Sequence, residues 1–274
     1  MKKKMFDFGE NWKHYSDAVL TQNHISEAEE AFETLTREID LKSRNFLDVG
    51  FGQGLSAFLA AKKGANVTCL DINLKCEEAL KSTEKFFDHS VKKNINLNIG
   101  SILDSSIIKK FKNDFPEGFD VIHSWGVLHH TGNMNQAFFN CASMLAEDGF
   151  LIIAIYNRHW SSPVWRVVKR IYCNTPIIGK KILITFFTPI IFLAKLIVTG
   201  KNPLRSARGM DFFVDIVDWV GGYPYEYASV AEIEEIGKKN NLQLENVRPS
   251  NVPTGCNEFI FRRRVEKVRI KSVE

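Results

Sequence analysis

The chain of 274 residues has only five cysteines, and none of them forms a C-x-x-C pair. An odd number of widely separated cysteines argues against a disulfide framework and predicts reduced thiols inside the cell. Since free cysteine behaves as a small hydrophobic residue, we expect most of the five to lie in the core. No zinc site or other metal site is predicted.

The sequence also lacks a secretory signal, because no apolar stretch follows the basic start MKKKMFDFGENW. Its longest uncharged apolar run, Ile182 to Ala194, contains Pro189. That run is shorter than the roughly 18 residues that a membrane-spanning helix needs. We therefore expect a cytoplasmic protein without a transmembrane helix, peripheral to a membrane at most.

Acidic residues are absent from Leu151 to Met210, where ten lysine or arginine residues occur. The whole chain has 36 basic and 32 acidic residues, so the remainder is net acidic. A local excess of basic charge suggests a site. Three interpretations remain open: a solvated face, an attraction for an anionic acceptor, or contact with an anionic membrane surface.

Apolar segments of strand character alternate with helical patterns along the middle of the chain. This alternation predicts an α/β fold with a doubly wound, mostly parallel sheet of seven strands. Ser26 with Glu29, and Ser229 with Glu232, are capping-box patterns that predict helix starts. The predicted strands are 45–49, 66–70, 95–99, 119–124, 150–156, 242–247 and 258–261, and the predicted helices between them include 55–63, 74–88 and 135–146.

These elements divide the chain into four predicted regions. A helical cap at 1–44 precedes a ligand-binding core at 45–157. The alternation then stops, and 158–228 is interpreted as an inserted lid that is rich in basic and aromatic residues. We call it the lid segment. A helix and two strands at 229–274 complete the sheet.

A glycine-rich turn, DVGFGQG at 48–54, follows the first predicted strand. Glycine lets the backbone approach a ligand closely. Asp48 ends this strand, where it could orient the turn and an ammonium group. Asp71 ends the second strand, where a carboxylate can accept both hydroxyls of a ribose. A nicotinamide site should instead show G-x-G-x-x-G, so a dehydrogenase is disfavoured.

This combination resembles the cofactor motif of class I S-adenosylmethionine-dependent methyltransferases. The segment GSILD at 100–104 is similar to the family's adenine-binding turn, and FDVI at 119–122 to its fourth strand. SWGVLHHTG at 124–132, IAIYN at 153–157, DWVGGYPYE at 218–226 and CNEF at 256–259 resemble a bacterial branch related to ubiquinone-type small-molecule methylases. The resemblance covers most of 45–157. It implies a Rossmann-like sheet with an antiparallel seventh strand and S-adenosylmethionine as cofactor.

One position departs from the family pattern. Ser101 stands where the family often has an acid that binds the adenine amino group, and Asp104 is the candidate to replace it. The cofactor-binding residues implied by the resemblance are Asp48, Gly50, Phe51, Gly52, Gly54, Asp71, Ile72, Ser101, Ile102, Asp104, Ser124 and Trp125.

His129 and His130 are the candidates for a proton acceptor, because histidine titrates near neutral pH and both follow the fourth strand. Structural roles or cofactor contacts remain open for both. Asp211 and Asp218 belong to the same expected surroundings of the acceptor. The predicted acceptor-binding residues are Trp12, Tyr15, Tyr156, Asn157, Arg208, Tyr223, Tyr225 and Glu226.

The sequence therefore favours an enzyme that methylates oxygen, nitrogen or sulfur of a small molecule. No recognisable RNA- or DNA-binding module is present, so a nucleic-acid acceptor is disfavoured. Two alternatives remain: methylation of RNA or protein, and a non-catalytic S-adenosylmethionine-binding module at a membrane surface. The acceptor atom and the oligomeric state stay open.

Overall fold

A computed structural model describes residues 5–204 and 211–264. The helices are α1 (Phe8–Ala18), α2 (Gln22–Leu35), α3 (Leu55–Lys62), α4 (Lys75–Thr83), α5 (His89–Lys92), α6 (Ser105–Asp114), α7 (Met134–Ser143), α8 (Ser162–Asn174), α9 (Ile177–Thr199), α10 (Phe212–Gly221) and α11 (Val230–Lys239). The strands are β1 (Asn45–Val49), β2 (Asn66–Asp71), β3 (Ile95–Ile99), β4 (Phe119–Trp125), β5 (Leu145–Tyr156), β6 (Leu242–Arg248) and β7 (Cys256–Arg263).

The seven strands form one sheet in the order β3-β2-β1-β4-β5-β7-β6. β1 to β5 pair in parallel, and β7 lies antiparallel between β5 and β6. Both faces are buried: Leu47 and Val49 of β1 pack in one core cluster, and Phe46 in another. Alternate side chains of a strand point to opposite faces, so helices must cover the sheet on both sides. The predicted doubly wound fold is confirmed.

The predicted helix start at Ser26 is wrong. α2 begins at Gln22 because Thr21 caps it, and the Thr21 hydroxyl accepts a hydrogen bond from the backbone N–H of His24. Ser26 lies inside the helix and donates to the Gln22 carbonyl. The second predicted capping box is confirmed, with Ser229 and Glu232 bonding to each other's backbone N–H.

Other boundaries also differ from the prediction. The sequence pattern did not predict α6, which begins after Asp104 as its N-cap. The predicted helix over 74–88 ends at Thr83 and continues only as a 3-10 turn at Glu84–Phe86. β5 starts at Leu145, five residues before the predicted start at 150, because Phe119 and Leu145 pair across a register shift.

Helices α8, α9 and α10 of the lid segment share a small core of their own, centred on Ile191, Phe212 and Ile216. α9 continues through Pro189 and past the lysines at both ends of the apolar run. It is 23 residues long, and by length and composition alone it could cross a membrane. The prediction that this apolar segment is too short is therefore wrong. Ile191 is the one residue of α9 that is buried within the described structure.

Candidate functional site

The glycine-rich turn lies between β1 and α3, at the carboxyl edge of the sheet. Gly50, Gly52 and Gly54 have φ values of 74°, 55° and 78°, in the left-handed region that favours glycine. A Cβ atom at Gly50 would also lie 2.4 Å from Cγ2 of Val127. A residue with a side chain therefore cannot replace Gly50 without displacing its neighbours.

Asp71 ends β2 beside this turn. Its Oδ2 accepts a hydrogen bond from the Gly52 N–H at 3.1 Å, and its Oδ1 accepts one from the Asn73 N–H at 2.9 Å. Burial raises the pKa of Asp71, whereas these two hydrogen bonds lower it. Each carboxylate oxygen has a second lone pair. Asp71 can thus hold the turn and still accept hydrogen bonds from ligand hydroxyls.

Asp48 lies beneath the turn and is almost fully buried. Its Oδ1 is 2.8 Å from Nδ1 of His123, which is buried as well. Its Oδ2 has no hydrogen-bond partner among the described residues. A buried carboxylate oxygen left without a partner is costly, so this atom fits a role in binding a cationic ligand group.

A single cavity of about 1500 Å³ extends from the glycine turn to the lid segment. On the turn side its wall includes Gly50, Asp71 and Trp125. On the lid side its wall includes Asp218 and Trp219. The turn and the lid helices therefore face one continuous space.

The predicted residues divide into two groups by position. Those in the cavity wall are Trp12, Gly50, Asp71, Ile72, Ser101, Ile102, Trp125, His130 and Tyr156. Those described outside this wall are Tyr15, Asp48, Phe51, Gly52, Gly54, Asp104, Ser124, His129, Asn157, Tyr223, Tyr225 and Glu226. Arg208 lies outside the described residues.

Several residues of the second group have local structural partners. Asp104 is exposed and accepts a hydrogen bond from the Ser106 N–H at 2.8 Å as the N-cap of α6. Ser124 donates to the Val49 carbonyl at 3.1 Å. Glu226 accepts from the N–H of Met134, the first residue of α7. These hydrogen bonds give each of the three polar side chains a structural role in the fold.

The two adjacent histidines occupy different positions. His129 is completely buried, and its Nδ1 lies 3.4 Å from the Tyr156 backbone nitrogen. His130 lines the cavity, and its Nδ1 lies 2.6 Å from the Pro224 carbonyl oxygen. That contact requires a proton on Nδ1, which leaves Nε2 as an acceptor. Burial lowers the pKa of both, in His130 to about 3, so both rings are neutral at physiological pH.

Asp218 is a carboxylate of the cavity wall whose pKa is raised. Its Oδ1 accepts a hydrogen bond from Nδ2 of Asn11 at 2.7 Å. Burial, and to a lesser extent the nearby Asp215 carboxylate, raises its pKa to about 7 against the opposing effects of Asn11 and Lys169. Near neutral pH this carboxyl can therefore either hold or accept a proton.

Lys169 was missed by sequence reasoning. It is completely buried, donates to the Trp219 carbonyl, and its Nζ lies 4.4 Å, 4.8 Å and 5.6 Å from the ring centroids of Trp219, Tyr225 and Tyr156. Burial lowers its pKa to about 7. The available signal was its helical spacing, because Lys169 falls on the same face of α8 as the buried Ser162 and Tyr172.

Comparison with known proteins places the chain among methyltransferases. Residues 23–176, more than half of the chain, match the family described as methyltransferase domain. The ubiquinone biosynthesis O-methyltransferase of Coxiella burnetii (strain Dugway 5J108-111) is 29% identical over 134 residues, which are 49% of this chain and 53% of the relative. The enzyme of the same description from Rickettsia akari is 32% identical over 118 residues, 43% of this chain and 42% of the relative. The chain thus matches about half the length of these relatives.

A solved structure of similar fold is magnesium protoporphyrin IX methyltransferase from Synechocystis PCC 6803, with S-adenosylhomocysteine bound. The TM-score is 0.56 at 16% identity, and the match covers 93% of each chain. At this identity the likeness concerns the fold.

Proposed function

The chain belongs to the class I S-adenosylmethionine-dependent methyltransferases, and we propose that it methylates a hydroxyl oxygen of a small, largely apolar acceptor. The observation that carries this proposal is the continuous cavity between the glycine turn and the lid segment. Methyl transfer requires the donor and the acceptor to be aligned in one space from which water is excluded. This cavity offers one continuous space for both.

The turn side of the cavity fits S-adenosylmethionine. We assign the close backbone approach to Gly50, the ribose hydroxyls to Asp71, and the adenine surroundings to Ile72, Ser101 and Ile102. When bound, the cofactor supplies an electrophilic methyl group on a sulfonium. The Asp48 carboxylate contacts His123 through one oxygen, and we assign its other oxygen to the ammonium group. Asp104 contributes to helix α6 in this assignment and does not contact adenine.

The lid side receives the acceptor. Trp165 and Trp219 line the cavity with Ile191, and such aromatic and aliphatic surfaces favour an apolar acceptor. A hydroxyl acceptor must lose its proton as the new oxygen–carbon bond forms and the sulfur–carbon bond breaks. We assign this proton to Asp218, whose pKa of about 7 suits a general base at neutral pH.

The histidines have a different role in this proposal. The low pKa of His130 makes it a weak base, so it orients the acceptor through Nε2. His129 holds the Tyr156 backbone from the interior. Tyr156 and Trp12 line the cavity. We assign them to the wall between the cofactor and the acceptor.

The test is transfer of a radiolabelled methyl group from S-adenosylmethionine to a fractionated extract of the source cells. We expect label in small, organic-soluble material that resists protease and ribonuclease. Loss of the label after either digestion would replace this proposal with methylation of a macromolecule. Cofactor binding without label in any fraction would indicate a binding module.

A further inference from the structure

Helix α9 has two different faces along its whole length. Leu183, Ile184, Phe187 and Ile191 pack against the core of the lid segment. On the remaining surface, apolar side chains stay exposed at intervals of four residues, with one interval of three. Their exposed fractions are 72% for Ile178, 64% for Ile182, 60% for Phe186, 46% for Ile190 and 54% for Leu193, with 80% for Ile197 near the helix end.

α8 adds a second exposed apolar stripe. Val164, Val167 and Ile171 lie three and four residues apart on this helix and are 60%, 57% and 52% exposed. Trp160, just before the helix, is 83% exposed. We call the exposed apolar side chains of α8 and α9, with Trp160, the docking face. Exposed apolar side chains that form stripes on two successive helices, instead of being scattered singly, mark an interaction site.

The segment that carries the docking face is basic. No acidic residue occurs from Leu151 to Met210. Within the described part of the chain, Arg170, Lys180, Lys181 and Lys201 form no salt bridge. Apolar side chains flanked by lysine and arginine, with a tryptophan at the edge, are typical of helices that bind an anionic lipid surface.

We propose that the docking face binds the surface of an anionic lipid bilayer, with α9 lying in the plane of the interface. A helix that crosses a bilayer exposes its whole circumference to lipid or to other spanning segments. One side of α9 is instead committed to the lid core, and its Lys195 pairs with Asp215 of α10. Lipid therefore meets the other side only.

The position of the cavity gives this surface a role in the proposed function. Ala194 and Val198 of α9 are exposed and also line the cavity. The cavity therefore reaches the protein surface at this end of α9, on the side of the helix that carries Ile191 and next to the docking face. Resting on the proposed function, the inference names the acceptor class: an amphiphile that resides in the membrane and enters the cavity beside α9.

The test of docking is sedimentation with vesicles, which requires no turnover. The purified chain is mixed with vesicles of phosphatidylcholine alone or with phosphatidylglycerol added. We expect at least tenfold stronger partitioning to the anionic vesicles, weakened by salt. The double variant Ile182→Ser with Phe186→Ser should lose most of it, and Lys180→Gln with Lys181→Gln should lose the preference for phosphatidylglycerol.

Phe139→Ser is the matched control, because Phe139 of α7 is 53% exposed on a different helix. It should bind vesicles as the wild type does, and all variants should retain S-adenosylmethionine affinity as a check of folding.

Equal partitioning of the double variant and the wild type would overturn the proposal. Self-association abolished by the same double variant would assign the face to a second copy, and resistance to alkaline extraction from membranes would replace docking with insertion. Failure of cofactor binding would concern the proposed function alone.

Discussion

The carboxylate of Asp71 accepts a hydrogen bond from the backbone N–H of Gly52, with 3.1 Å between Oδ2 and the nitrogen. This bond joins the end of β2 to the turn after β1, which are neighbouring parallel strands. Asp71, which is assigned to the ribose, therefore lies at the same edge of the sheet as the glycine turn, which is assigned to the methionine end of the cofactor.

Replacement of Asp71 by Asn should weaken S-adenosylmethionine binding roughly 10- to 100-fold, because hydrogen bonds to a charged group are lost. Asp104→Asn is the control, since Asp104 is exposed and caps α6. Calorimetric titration of both variants measures the difference. Equal weakening by the two substitutions would return Asp104 to the cofactor site.

Gly50→Ala should lower the free energy of unfolding by roughly 2–5 kcal/mol, because a left-handed backbone strain adds to overlap with Val127. Gly200 has a similar φ of 64°, but a Cβ atom there would meet no atom within 4 Å. Gly200→Ala should therefore cost only about 1–2 kcal/mol. Urea unfolding measures both, and equal losses would contradict the assigned close contact.

The methylation rate should rise with pH through about 7, as the Asp218 carboxyl loses its proton. Asp218→Asn should remove this rise and lower kcat by roughly 10²- to 10⁴-fold. The pH profile of kcat in the wild type and in this variant provides the measurement. A rise that survives in Asp218→Asn and disappears in His130→Asn would assign the base to His130.

The buried Lys169 should make stability depend on pH. Its pKa falls from an ordinary 10.5 to about 7 in the folded chain, so the unfolded chain binds more protons between these values. The contribution of this group to the free energy of unfolding therefore increases as pH rises from about 7 towards 10. Lys169→Met should flatten this part of the profile in urea unfolding at pH 7, 8 and 9. An unchanged slope would show that Lys169 keeps its ordinary pKa.

The positions of the strands along the chain were predictable because strands buried on both faces read as apolar runs separated by helical patterns. The same regularity placed Asp48 and Asp71 at strand ends. Asp104 shows where the pattern is ambiguous. An aspartate before a helix can contact a ligand or cap the helix, and in this fold its carboxylate caps α6. Recognising α6 in the sequence would have favoured the capping role over the ligand contact.

The lid segment was harder to predict because its properties depend on tertiary packing. The apolar run was predicted to be short because it is flanked by Lys180, Lys181 and Lys195. All three lysines lie within the longer α9. Lys169 of α8 lies over the ring of Trp219 in α10 and interacts electrostatically with Asp218 of the same helix, although the two helices are far apart in sequence. Periodicity along one helix carries no information about such a pair.

The most direct test of the central claim is calorimetric titration of the purified chain with S-adenosylmethionine, S-adenosylhomocysteine and NAD. The glycine turn with Asp48 and Asp71 predicts saturable binding of the first two compounds at one site and no binding of NAD. Binding of NAD alone, or of none of the three, would contradict the assignment of the cavity to S-adenosylmethionine.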